Sequence, residues 1–83
     1  MAAIELTIIQ ANLTRVTLGD VSVWFSYTTP VAVLVKGERI VARNQWSNTT
    51  ARHLTEIDGG GKAAKANRVD HAVLLTLIEQ HVA

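Results

Sequence analysis

The first half of the chain consists of segments in which apolar and polar residues alternate, separated by turns that contain glycine. The stretch IELTI at positions 4–8 alternates in this way, which is typical of a strand with one buried face. In TRVTLGDVSVWFSY two further alternating runs flank Gly19-Asp20. Glycine at the first central position favours a two-residue type II′ turn. The pattern therefore predicts consecutive antiparallel strands.

The pairing of the first hairpin follows from this turn. It places apolar residues opposite apolar residues on one face, so the register is self-consistent. On the other face Arg15 is opposite Trp24, which predicts a cation–π contact. The predicted pairs on the apolar side are Leu18 with Val21, Val16 with Val23, and Thr14 with Phe25.

A second hairpin is predicted in PVAVLVKGERIVAR, with its turn at Gly37-Glu38. A turn at Lys36-Gly37 would place Leu34 opposite Arg39, which is a poorer match of side chains. The first alternative is therefore favoured. It pairs Val35 with Ile40, Leu34 with Val41, and Val33 with Ala42.

The period changes after Trp46. TTARHLTEID predicts a short helix over about 49–58, with Thr49 or Thr50 as its N-cap. The glycines at 59–61 end that helix and form a linker. A C-terminal helix is predicted over about 67–82, capped by Asn67 and with Asp70 in its first turn. Its apolar stripe is Leu74, Leu75, Ile78 and Val82.

These elements predict one α+β domain over residues 1–83. A meander of about five antiparallel strands spans about 3–46, and the C-terminal helix packs on one sheet face. The 48% apolar content suits a globular core. The opening segment lacks a basic start, and the uncharged run 21–35 contains Pro30 and four serine or threonine residues. We therefore expect neither a secretory signal nor a membrane span, and a cytoplasmic protein.

Patterns that would indicate catalysis or metal binding are weak. DGGGK lacks the first glycine and the Ser or Thr of a phosphate-binding loop. The chain has no cysteine and no closely spaced histidine pair, so no metal site is predicted around His53 and Glu56. No serine stands in a recognised nucleophile motif. We therefore expect no catalytic residue, no cofactor and no enzymatic activity.

The stretch RNQWSNTTARH, residues 43–53, is the candidate anion site. Between positions 31 and 53 the sequence contains four cationic residues and only one carboxylate. The amides near Thr49 and Thr50 would point towards an anion from a helix N-terminus, and Trp46 would stack on a base. The alternative is that Trp46 covers the core while the hydroxyl groups cap the helix. The cations of a nucleic-acid or anion site would be Arg39, Arg43 and Arg52.

The second candidate surface is the outward face of the sheet. Trp24, Leu34 and Val41 are predicted on one face of the sheet. The other face carries Val23, Phe25, Val33, Val35 and Ile40. If both helices cover that set, the first three residues remain partly exposed. An exposed apolar patch near cations is typical of a protein–protein interface. The candidate protein-binding residues are Trp24, Leu34, Val41, Arg15 and Trp46.

A set of short motifs lies between residues 24 and 59: Trp24–Tyr27, Thr29–Ala32, Trp46–Thr50, His53-Leu54 and Asp58-Gly59. Together they resemble a family of small, uncharacterised proteins encoded by bacteriophages and other mobile elements. The resemblance covers about residues 12–60. It implies an accessory protein acting inside a bacterial cell, and it transfers no catalytic residue.

The sequence thus predicts a non-enzymatic protein-binding module, which would act on a host or defence protein of unknown identity or as a homodimer. The alternative is a nucleic-acid-binding protein that uses Arg39, Arg43, Arg52 and Trp46.

Overall fold

The computed structural model describes residues 4–82, without the side chain of Val82. It confirms the predicted α+β class: a five-stranded antiparallel sheet in the order β1-β2-β3-β4-β5 is followed by three helices. The predicted start of the sheet at residue 3 lies outside the described residues. The elements are β1 Ile4–Gln10, β2 Leu13–Leu18, β3 Val21–Ser26, β4 Thr29–Val35, β5 Glu38–Val41, α1 Asn48–Asp58, α2 Lys62–Ala66 and α3 His71–Val82.

The hairpin between β2 and β3 has the predicted register. Leu18 pairs with Val21, and Arg15 pairs with Trp24. Gly19 has a φ of 63°, whereas Asp20 does not have a positive φ. This combination fits the predicted type II′ turn, in which only the first central residue needs a positive φ.

The predicted register between β4 and β5 is wrong by two residues. The turn lies at Lys36-Gly37, so Val35 pairs with Glu38 and Leu34 pairs with Arg39. Lys36 and Gly37 both have positive φ, 52° and 77°. Two positive φ values fit a type I′ turn, whose twist matches that of the strands. A shift of two residues keeps every side chain of β5 on its predicted face.

Helix α1 begins one residue before the predicted start, and its N-cap is Ser47 rather than Thr49 or Thr50. The Thr50 amide donates a 3.2 Å hydrogen bond to Ser47 Oγ. The helix ends as predicted at Gly59, whose φ is 86° and whose amide donates to the Thr55 carbonyl. Glycine adopts this left-handed conformation without a steric cost.

The segment between the glycines and the last helix differs from the prediction. It contains α2, and Asn67 is the C-cap of α2 rather than the N-cap of the last helix. The Val69 amide donates to the Val41 carbonyl, and the Arg43 amide donates to the Val69 carbonyl. These bonds place Val69 beside β5, so α3 begins only at residue 71. Asp70 therefore precedes the first turn instead of lying in it.

The sheet has a core on each of its faces. On one face, α1 contributes Leu54 and Ile57 to a cluster with residues of β2, β3, β4 and β5. On the opposite face, α3 contributes Leu74 and packs mainly on β4 and β3. Within residues 4–82, no helix is both long enough and apolar enough to span a membrane.

Candidate interaction surface

The surface predicted around Trp24, Leu34 and Val41 is covered by α1. Trp24 and Val41 are each only 6% exposed, and Leu34 is half-buried. The expectation of partial exposure is wrong for Trp24 and Val41 because the two long helices lie on opposite faces of the sheet, whereas Leu34 keeps part of its surface exposed. The three residues belong to the α1 core.

Arg15 lies beside the α1 core, and Trp46 contacts both cores. Arg15 makes the predicted cation–π contact, with its guanidinium carbon 5.9 Å from the Trp24 ring centroid. Trp46 packs against both clusters and meets the His71 ring edge-on at 4.9 Å. His71 Nε2 donates to the Pro30 carbonyl at 2.9 Å, which fixes that ring. Trp46 would have to leave these contacts to stack on a base.

The cations predicted to bind an anion are dispersed. Arg43 forms an exposed ion pair with Asp70. Arg39 and Arg52 are exposed, on β5 and α1 respectively. The Thr50 amide is used by the Ser47 cap, and the buried Thr50 hydroxyl bonds Ser26 Oγ at 3.0 Å. Thr49 is half-buried in the first turn of α1.

Ser26 and His53 form a buried pair that the sequence did not indicate. Ser26 Oγ lies 2.7 Å from His53 Nδ1, and the two residues are 2% and 1% exposed. At this degree of burial the pair is closed to a substrate. Glu56, which the sequence suggested as a companion of His53, is exposed. The pair thus connects α1 to β3.

Asp58 and Arg68 form a bidentate ion pair at the end of α1. Arg68 Nε and Nη2 donate to the two carboxylate oxygens at 2.8 and 2.9 Å, and both side chains are 7% exposed. Burial alone would raise the pKa of Asp58. The hydrogen bonds from Arg68 and the Gly60 amide, with the charges of Arg68 and Arg39, outweigh burial and lower that pKa.

A cleft of about 240 Å³ adjoins this ion pair and includes Arg39 and Asn67 in its lining. The buried guanidinium in the cleft is already neutralised by Asp58. Across residues 4–82, no three His, Asp or Glu side chains are close enough together to hold a metal ion.

An apolar surface does lie open elsewhere, on the face of β1 and β2. Ile4, Leu6 and Ile8 on the edge strand are 76%, 63% and 72% exposed. They are on the same side of the sheet as α3, beside the part that α3 covers. Together with their partners in β2 they form what we call the β1–β2 face: Ile4, Leu6, Ile8, Thr14, Val16 and Leu18.

Sequence reasoning missed this surface although the signal was available. The alternation of IELTI was interpreted as a strand with one buried face. Five strands about 4.8 Å apart make a sheet about 20 Å wide, whereas one helix is about 10 Å across. A single helix therefore leaves about half of its face uncovered.

The two edges of the sheet differ as well. The edge at β5 is partly covered by Val69, which forms a parallel bridge with Ala42. Among the described residues, no strand pairs with the outer edge of β1. Edge strands usually carry charges or proline that prevent further pairing. β1 carries only Glu5 and a register irregularity between Ile8 and Gln10.

Tyr27 lies at one end of this surface in a strained conformation. Its φ is 57°, which is uncommon for a bulky residue, and its side chain is 53% exposed. It lines an open groove of about 350 Å³ with Leu6, Val16 and Phe25. Strained, exposed aromatic residues are enriched at binding sites. This geometry extends the β1–β2 face towards β3.

Comparison with known protein families assigns this chain to one of them. Residues 3–72 match DUF8033, a family of unknown function. The chain belongs to this family. The match includes the sheet, α1 and α2, and it ends at the start of α3. No curated protein and no solved structure matches the chain.

Proposed function

We propose that the protein is a non-enzymatic protein-binding module and that its binding surface is the β1–β2 face. We further propose that it is an accessory protein of a phage or prophage, acting in the cytoplasm of the bacterial host. The resemblance carried by Trp24–Tyr27 and Trp46–Thr50 implies that context. The surface proposed here replaces the one around Trp24, which α1 covers.

One observation carries the proposal: the exposure of Ile4, Leu6 and Ile8 on a single face of an edge strand. Isolated exposed apolar side chains are normal, but adjacent ones that form a patch mark interaction sites. Burying such side chains is favourable by about 25 cal/mol for each Å² removed from water. A protein partner supplies that burial.

The nucleic-acid alternative is the weaker proposal. Arg39 and Arg52 are free to meet phosphates, but Arg43 already pairs with Asp70. Trp46 is held between the two cores. Nucleic-acid modules combine clustered cations with exposed aromatic rings, and the described residues on this side of the protein do not form that combination.

Two aspartate variants of adjacent residues test the proposed surface. Leu6→Asp places a charge on the β1–β2 face, whereas Thr7→Asp places the same charge on the opposite face, beside Arg15. The immobilised proteins are incubated with nuclease-treated bacterial lysate, and the bound proteins, including untagged copies of this chain, are quantified by mass spectrometry. We expect Leu6→Asp to abolish specific capture, since an unpaired carboxylate is poorly tolerated at a dry interface.

Thr7→Asp should capture the same proteins as the wild type, which separates the effect of the surface from that of the added charge. Equal capture by the wild type and Leu6→Asp would contradict the proposal. A parallel incubation with untreated lysate tests the nucleic-acid alternative, which would be favoured by proteins captured there and lost after nuclease treatment.

A further inference from the structure

We infer that a second copy of this chain occupies the β1–β2 face, in a symmetric dimer in which each β1 lies beside the partner's α3. The inference rests on the proposed function and identifies the partner of that surface. In this dimer the two copies pack their β1–β2 faces together, and the two-fold axis runs roughly along the strands.

The position of α3 makes room for this arrangement. Because α3 packs mainly on β4 and β3, Ile4, Leu6 and Ile8 of β1 stay exposed, and the layer above β1 is open to a partner. Facing sheets pack about 10 Å apart, which is about the diameter of a helix. The β1–β2 hairpin of a second copy would therefore lie at the same height as α3 and next to it.

Three exposed features fit one another in this dimer. The first is the β1–β2 face, which packs on its own copy. The second is the open edge of β1. The third is the side of α3, where Val73 and Leu75 are 47% and 39% exposed. These two residues are two positions apart, so they lie on opposite flanks of the helix, and one flank borders the β1–β2 face.

The two-fold symmetry brings the open edge of β1 and the side of α3 together at two places. The flank of one α3 meets the partner's β1, and the partner's α3 meets the first β1. Such mutual contact of unlike patches is the property of an isologous interface. Covering the edge of β1 with a helix also removes an unpaired strand edge, which is otherwise prone to aggregation.

The charge distribution permits self-association. None of the six residues of the β1–β2 face is charged, so two copies do not repel each other there. Glu5, the charged residue of β1, points to the opposite face. Interfaces between identical subunits are more apolar and less charged than transient ones.

Pairing of two β1 edges within one continuous sheet is a poorer solution. It would add backbone hydrogen bonds, but the side chains of Ile4, Leu6 and Ile8 project perpendicular to the sheet. They would remain in water in the joined sheet. Only a partner that lies on the face can bury them.

Sedimentation equilibrium of the purified protein, from micromolar to millimolar concentration, tests the inference. The wild type should sediment as a dimer. Leu6→Asp and Ile4→Lys, at two points of the β1–β2 face, should each weaken self-association about a hundredfold or more, and Thr7→Asp should not. Both face variants replace exposed side chains, and circular dichroism with thermal unfolding verifies that they fold.

A dimer that is weakened by both face variants and retained in Thr7→Asp supports the inference. A monomeric wild type, or a dimer indifferent to the face variants, overturns it. The proposed function is tested separately by the lysate experiment. It is supported if Leu6→Asp fails to capture a lysate protein that the wild type captures, and it is contradicted if both capture the same proteins.

Discussion

Trp24 and Tyr27 are three positions apart in the chain, yet their environments are opposite. Trp24 is 6% exposed beneath α1, whereas Tyr27 is 53% exposed in a turn with a positive φ. The alternating pattern correctly assigned Trp24 to the face opposite Val23. It could not show which face each helix covers, because that depends on the path of residues 42–47 and 59–70. The role of Trp24 therefore changes from contact residue to core residue.

Replacing Trp24 with aspartate should accordingly unfold the protein. The change removes a large buried side chain and buries a carboxylate, each of which costs several kcal/mol. A domain of this size has a total stability of about 5–10 kcal/mol. We expect Trp24→Asp to show no cooperative transition in urea.

Leu6→Asp is the matched control for this experiment, because its side chain is exposed and lies on the other face. It should keep a cooperative transition, with a midpoint lowered only by the dimer contacts that it loses. A cooperative, native-like transition for Trp24→Asp would show that the α1 core does not depend on the indole.

At the level of elements, the sequence predicted what local chemistry determines. The five strands, the turn at Gly19-Asp20 and the end of α1 at Gly59 follow from alternation and from the conformations that glycine adopts. The predicted turn of the second hairpin is wrong because the type I′ geometry at Lys36-Gly37 outweighs the poorer match of side chains across the strands. The helix α2 was missed because five residues are too few to show a helical period.

The predicted C-terminal helix began too early for a different reason. The backbone of Val69 forms hydrogen bonds with Val41 and Arg43, at the end of β5, instead of bonds within a helix. No local pattern in the sequence encodes such a long-range pairing. The same segment supplies Arg68, which joins the end of α1 to the end of α2 through Asp58.

This ion pair gives the protein a defined pH dependence. The pKa of Asp58 is lower in the folded protein than its usual value of about 3.9. The unfolded chain therefore takes up the proton first as the pH falls. The stability from this carboxylate is complete above that value and is lost as the pH falls through the folded-state pKa.

Urea unfolding from pH 7 to strongly acid pH measures this contribution. We expect Asp58→Asn to lower the free energy of unfolding by roughly 3 kcal/mol at neutral pH, since the buried Arg68 loses its counter-charge. The variant should also lose less stability than the wild type below about pH 4.

Asp70→Asn is the control, because Asp70 pairs with Arg43 at an exposed site. It should cost about 1 kcal/mol or less at neutral pH. If the two variants were equally stable, the Asp58–Arg68 pair would not hold α1 and α2 together as described.

At the level of the whole molecule, the central feature is a sheet that is wider than the helix on one of its faces. α1 and α3 provide two cores, and the part of the α3 face formed by β1 and β2 remains open. The sequence predicted the strands and the helix that create this imbalance. It did not predict the open surface, because alternation shows which side chains share a face of the sheet but not how much of that face a helix covers. The nature of the partner lies beyond a single sequence.

The most direct test of the proposed dimer is an isotope-filtered NOE experiment on a mixture of labelled and unlabelled chains, which detects contacts between copies only. The proposed dimer predicts intermolecular NOEs from the methyl groups of Ile4, Leu6 and Ile8 to methyl groups of β2 and α3 in the other copy. The absence of intermolecular NOEs at millimolar concentration, or NOEs confined to residues of α1, would contradict it.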